Sequence, residues 1–373
     1  MRKEASLPFL LLLSPTKCPM RINVQGERSE STGRIPRLSD FLAPGSRSKR
    51  EVLAPDVVDS REMSDSSNLK SPDAVASSWS LDRSWLKRVF VRDQGIRTGW
   101  SVLLFAALFW LLNLALNAAL GHFVVLDVEG PIPFSLGLLE ESAGILVVLA
   151  VTAVMARIEN RPVFSYGYLG DHKLIRLVTG ALWGFICLSV LVGVLSKGGW
   201  LVLDGRVLSG ADAWRCGLEW AAVFVLVGFF EESLLRGYAQ HTLSRGIGFW
   251  WAALLLSIAF ALGHLSNSGE SVLGIVEVLI AGLVFCLSLW YTKSLWWAVG
   301  FHAGWDWSQS FFYGTSDSGL LVKGHLFASH ASGSSLWSGG TTGPEGSLLF
   351  VPLVILVSAG MWLGWGKRKI DIK

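Results

Sequence analysis

Eight apolar stretches, each close to the roughly 20 residues or ~30 Å needed to cross the hydrocarbon of a bilayer, recur between residues 100 and 366. They fall near residues 100–120, 136–156, 174–196, 216–240, 248–265, 272–292, 294–312 and 347–366. Such a chain has few options. Lipid offers no hydrogen bonds, so stretches of this length satisfy their backbone internally as helices and pack into a bundle. The composition agrees, since 51% of the residues are hydrophobic and only 16% charged, a balance foreign to an ordinary soluble domain. The expected fold is therefore all-α: a polytopic membrane protein with a bundle of about eight transmembrane helices.

Loop charges give an independent check, because cytoplasmic loops are enriched in Lys and Arg. Basic residues precede the first stretch (Arg83, Lys87, Arg88, Arg92, Arg97) and fill the second connection (Arg157, Arg161, Lys173, Arg176). They also mark the turns at Arg245 and Lys293 and end the chain at Lys367, Arg368 and Lys369. Loops 121–135 and 266–271 have none, whereas 197–215 is mixed. This alternation predicts a multi-pass integral membrane protein with both termini cytoplasmic, in the plasma (inner) membrane if the host is bacterial. Residues 1–82, rich in Ser, Arg, Asp and Pro, cannot bury enough apolar surface to fold alone and read as a disordered cytoplasmic tail. The run Leu7–Leu13 is too short, and Pro15 and Pro19 too close behind it, for a cleaved signal peptide. The main body, residues 100–373, has 15 basic against 17 acidic residues, which argues against nucleic acid as a partner. Cys187, Cys216 and Cys286 lie in or beside apolar runs without paired spacing, as small buried hydrophobes do.

Against this background, the charged residues inside the apolar stretches stand out, because charge at membrane depth is costly and is kept for a purpose. Glu231, Glu232 and Arg236 interrupt the fourth stretch, the fifth contains Phe260 and His264, and the seventh contains His302 and Asp306. Each of the pairs Glu232/Arg236, Phe260/His264 and His302/Asp306 is spaced i, i+4, on one helix face. The fourth and fifth stretches turn about Gly246 and Gly248. Glu231 then lies ~21 Å from that turn and His264 ~22 Å, while His302 and Asp306 lie ~12 and ~18 Å from the start of theirs. The three helices can share one cavity.

This series, Glu231-Glu232-SLL-Arg236, Phe260-xxx-His264 and His302-xxx-Asp306 on successive membrane helices, resembles the CPBP family of intramembrane metalloproteases, which includes the type II CAAX prenyl proteases and relatives implicated in bacteriocin processing and immunity. The resemblance covers residues 170–312 within a transmembrane region 83–373. It implies an eight-helix bundle, an active site opening to the cytosolic side, and cleavage near the C-terminus of a membrane-anchored protein or peptide. In the prenyl proteases the last motif position looks like Asn; here it is Asp306.

The chemistry also follows from the residues. Peptide hydrolysis needs an activated water, a donor for the oxyanion and a proton for the leaving amine. Glu231 is the natural base, with His264 and His302 steering water or donating to the oxyanion. Asp306 can hold His302, coordinate a metal or, if protonated, donate. Glu232 with Arg236 reads as a structural or substrate-positioning ion pair, with Phe260 beside it. Two histidines with Glu231 or Asp306 would also supply the three protein ligands of a catalytic divalent metal, zinc first, with His264 and His302 as the leading ligands. A metal-free water activated by glutamate needs the same side chains, and the sequence does not choose.

Other polar residues have plainer explanations. Glu140-Glu141 has Ile145 where an arginine would be required, and suits the field of a helix N-terminus near the outer surface. Glu277 reads as a lone bundle-facing structural acid, with a cavity-lining role as the alternative, and segment 313–346 as an extracytoplasmic loop, in which no residue demands a role as a lid, with Glu345 in the first turn of the last helix. His122, His172, His241, His325 and His330 fall in loops or at span edges. The competing functional class is a transporter or non-catalytic scaffold using the Glu/Arg/His cluster as a relay, although paired inverted halves are not evident.

Overall fold

A computed structural model describes residues 91–92, 95–120 and 131–366. The expectations for the tail 1–82, for Arg83, Lys87, Arg88 and His122, and for Lys367, Arg368 and Lys369 lie outside those residues. A short hairpin, β1 (Val91–Arg92) with β2 (Gly95–Ile96), leads into α1 (Thr98–Leu120). Then come α2 (Phe134–Ile158), α3 (Lys173–Lys197), strand β3 (Leu201–Arg206) and α4 (Gly210–Glu232). A π-helical turn, Ser233–Ala239, joins α4 to α5 (Gln240–Ile247). Next are α6 (Phe249–Gly263), α7 (Val272–Thr292) and α8 (Trp296–Asp306), which continues as π-helix over Trp307–Phe312. Strand β4 (Phe327–Ala331), α9 (Ser335–Ser338) and α10 (Phe350–Met361) complete the order.

The protein is an all-α polytopic membrane protein. Among the described residues, five helices are long and apolar enough to span a bilayer: α1, α2, α3, α6 with its following turn, and α7. Helices also occupy the other three expected positions. There α4 is long enough but carries Asp212, Arg215, Glu219, Glu231 and Glu232, whereas α8 and α10 are short before their π-helical turns. The distribution of polarity is inverted relative to a water-soluble protein. Leu146, Leu174, Leu218 and Val272 are exposed, while Glu232, Arg236, Gln240 and Glu277 are buried. That arrangement suits lipid outside and a polar centre within.

Two ends of the bundle are distinct. At one, Arg245 bonds Glu159 at 2.6 Å and Arg176 donates to the carbonyl of Thr292 at 3.0 Å. The basic turns of the sequence thus meet. At the other, β3 pairs antiparallel with β4, with an irregularity between Leu203 and Gly205. Thr341 donates to the carbonyl of Gly269 and Asn267 to that of Ser318, so segments 201–206, 266–271 and 313–346 knit together. This strand pairing was not expected of loops; it supplies hydrogen bonds to backbone that helices leave unsatisfied.

The centre of the bundle is set by glycine. A Cβ on Gly180 or Gly184 of α3 would meet the carbonyl oxygens of Trp297 and Phe301 at 2.3 and 2.2 Å. One on Gly300 or Gly304 of α8 would meet those of Leu177 and Ala181 at 2.0 and 2.1 Å. These two Gly-xxx-Gly pairs let the backbones of α3 and α8 touch directly, the small-residue packing on which helix association in lipid depends. Gly228 of α4 faces Val299 and the Cβ of His302 in the same way, which brings Glu231 and His302 together. Replacing Gly304 by Ala is expected to force these helices apart and cost about 1–3 kcal/mol. Thermal unfolding of the purified protein in detergent measures it, and an unchanged midpoint would contradict the contact.

Candidate active site

The deepest element of the site is the ion pair of Glu232 and Arg236. Arg236 Nη1 donates to Glu232 Oε1 at 3.1 Å, and both side chains are wholly buried. The guanidinium carbon lies 4.6 Å from the ring centre of Phe260 and 5.4 Å from that of Phe285, so aromatic faces receive the charge the pair leaves uncompensated. Gly282 of α7 leaves the room: a Cβ there would stand 2.8 Å from Arg236 Nη2. Pairing across i, i+4 survives the π-helical widening, which ends in non-helical geometry at Gly237 (ψ −119°). Such π segments recur at functional sites, where they re-aim side chains.

His302 stands above this pair. Its Nδ1 is 3.5 Å from Glu232 Oε1, and its Nε2 is 3.5 Å from Glu231 Oε2 and 3.6 Å from Asp306 Oδ2. Phe285 stacks on the imidazole, with centroids 5.1 Å apart and planes inclined by 22°. Each ring nitrogen therefore faces carboxylate, with the ring plane held by an aromatic side chain. The distances are those of ionic contacts rather than of tight hydrogen bonds.

His264 follows α6 in a short 3-10 turn, with Nδ1 2.9 Å from the carbonyl oxygen of Phe260. A carbonyl only accepts, so Nδ1 carries the proton and Nε2 of the neutral ring is an acceptor. The edge contact with Phe260, centroids 4.8 Å apart, fixes the ring. Glu231, His264, His302, Asp306 and Phe260 all line one cavity of about 160 Å³. Glu232 and Arg236 lie behind it.

The sequence reading missed much of the wall. Glu140 and Glu141 line the cavity too, and they sit beyond the first turn of α2, so the field of a helix N-terminus does not account for them. Their signal was the charge pair itself at membrane depth. Glu277 also lines the cavity. Asp317 and Glu345, from the segment read as a plain loop, close it over at one end, and Glu345 belongs to a separate 3-10 turn before α10. No periodicity marks them. The cavity thus reaches the end of the bundle opposite the basic turns.

That cover is sensitive to pH. Ser310 donates to Asp317 at 2.9 Å, and the backbone and hydroxyl of Ser318 donate to Glu345. Burial chiefly, with the charge of Glu231 adding to it, raises Asp317 to about 7 despite the Ser310 bond. Burial, then the charges of Asp317 and Glu270, raise Glu345 to about 8. An unfolded carboxyl titrates near ~4, so between about pH 4 and 8 the folded cover holds more protons, and its stability falls as pH rises. Amide exchange over residues 313–346, corrected for intrinsic rate, is expected to be faster at pH 8.5 than at pH 5.5. Asp317→Asn should shrink the difference, and equal protection at both pH values would refute the assignment.

Among the described residues, no three His, Cys, Asp or Glu side chains come together in an arrangement that could hold an ion. His264 and His302 share the cavity without forming such a set.

Fold and site together define a polytopic integral membrane protein with a carboxylate–histidine centre buried among its helices. Residues 213–308 match the family model described as type II CAAX prenyl endopeptidase Rce1-like. That segment runs from α4 to the π-helical turn after α8, and it contains Glu231, Glu232, Arg236, Phe260, His264, His302 and Asp306. It agrees with the resemblance to the CPBP proteases. No curated protein matches the chain.

Proposed function

We propose that this protein is an intramembrane endopeptidase that hydrolyses a peptide bond of a membrane-associated protein or peptide. The observation that supports it most is the arrangement of His302, with Glu231 and Asp306 at Nε2 and Glu232 at Nδ1, on the wall of a cavity that also holds His264. A scaffold would not require a carboxylate beside an oriented imidazole, whereas activation of a water for hydrolysis uses both.

In the mechanism we assign, a water rests between Glu231 and Nε2 of His264. Glu231 takes a proton from it as the oxygen adds to the substrate carbonyl. His302, arranged to donate at both nitrogens, offers Nε2–H to the oxyanion, with Asp306 keeping the ring in place. The C–N bond then breaks, and the proton held by Glu231 passes to the leaving amine. Glu232 and Arg236 act one layer behind, fixing the imidazole rather than touching substrate. No step is routed through a metal.

The test is to express wild type and Glu231→Gln at equal membrane levels in the native host and compare new peptide termini by mass spectrometry. Termini present only with wild type establish the peptidase and name its substrate; identical profiles favour the relay or scaffold. A second measurement concerns zinc, which the sequence leaves open with His264 and His302 as its leading ligands. Cleavage is expected to survive 1,10-phenanthroline, with less than one zinc per chain in the purified protein. Loss of activity that zinc restores would instead make those histidines ligands.

A further inference from the structure

The cavity carries far more negative charge than the proposed chemistry uses. Among its described lining residues seven are acidic, two are histidine and none is Lys or Arg. Glu231 and Asp306 have partners and roles in the mechanism. Glu277 has neither: it is 1% exposed, lines the cavity from α7, and both its carboxylate oxygens lack a hydrogen-bond partner. Glu141, on the opposing α2, likewise has an unpartnered buried oxygen. A carboxylate withdrawn from water without a partner costs several kcal/mol unless something compensates it, and no basic side chain in the wall can do so. Such a carboxyl either keeps its proton or meets a cation brought in from outside the wall.

We propose that Glu277 forms a subsite for an organic cation of the substrate, a lysine or arginine side chain or a free α-ammonium next to the cleaved segment. The apolar walls supplied by Val278, Ala281 and Leu353 suit the methylene stem of a long basic side chain. A small metal ion is the less suitable occupant, because the acids are spread along the wall and no three converge on one point among the described residues. This inference names a substrate class for the site of the proposed peptidase and rests on that reading.

The experiment uses the full-length protein in detergent and three peptides matched in length: acetyl-Leu-Lys-Leu-amide, acetyl-Leu-norleucine-Leu-amide, and the norleucine peptide with a free amino terminus. Binding is followed by the fluorescence of Trp220 and Trp305, which line the cavity. The acetylated lysine peptide is expected to bind at least about tenfold tighter than its acetylated norleucine partner, the scale of a desolvated charge pair. Glu277→Gln should abolish the preference and Glu277→Asp should keep most of it. Preference for the free-amino norleucine peptide alone would assign the cation to a chain terminus. Equal binding of all three, a preference that persists in a folded Glu277→Gln, or competition by zinc chloride alone would overturn the subsite. Selective binding without any cleavage sinks the peptidase and spares the subsite; cleavage without selectivity does the reverse.

Discussion

Glu231→Gln is expected to lower peptide cleavage by about 10²–10⁴-fold, the usual contribution of a general base, with the folded protein still inserted in the membrane. The change is isosteric. It removes the group that takes a proton from water and leaves an amide at 3.5 Å from Nε2 of His302. Because Glu231 lines the cavity and Glu232 makes the ion pair with Arg236, the structural carboxylate is untouched. The neighbouring Glu232→Gln should behave differently, weakening both the hold on Arg236 and the orientation of His302, and so lower stability and activity together. Unfolding midpoints and single-turnover rates on the same preparations separate the two. Equal loss of activity and equal loss of stability in both variants would contradict the division of labour between these adjacent acids.

The largest expected effect on stability comes from Arg236→Met. Removing one partner of a wholly buried pair leaves the other uncompensated, at a cost of about 3–5 kcal/mol. Among the described residues Glu232 would lose its Arg236 donor and keep, at Oε1, only the 3.5 Å contact with Nδ1 of His302. The methionine would still fill the space between Phe260 and Phe285, so the loss would reflect charge rather than volume. The double variant Arg236→Met/Glu232→Gln should recover much of that stability without recovering activity, because the imidazole would still lack its orienting carboxylate. A midpoint for Arg236→Met close to wild type would show that the ion pair contributes little to the fold.

The site was legible in the sequence to the extent that it obeyed helix periodicity. Glu232 with Arg236, and His302 with Asp306, contact each other because i, i+4 neighbours share a helix face whatever surrounds them. Hydropathy likewise placed helices at all eight expected positions, although five meet the length and composition of a span. Glycine held a further signal that went unread: Gly180/Gly184 and Gly300/Gly304 are spaced for close helix packing, but only their contacts show that α3 and α8 pair with each other. Asp317 and Glu345 gave no signal, because a Gly- and Ser-rich segment has no period from which direction can be read.

The sequence by itself determined the solvent of this protein and the inventory of its chemistry, since apolar length and misplaced charge are properties of local composition. The tertiary structure alone decided which nitrogen of His302 meets which carboxylate, that Glu140, Glu141 and Glu277 turn toward the same cavity, and that segment 313–346 covers it. Those outcomes depend on how separate helices cross and rotate, and backbone approach at Gly228, Gly300 and Gly304 sets that geometry across long distances in the chain.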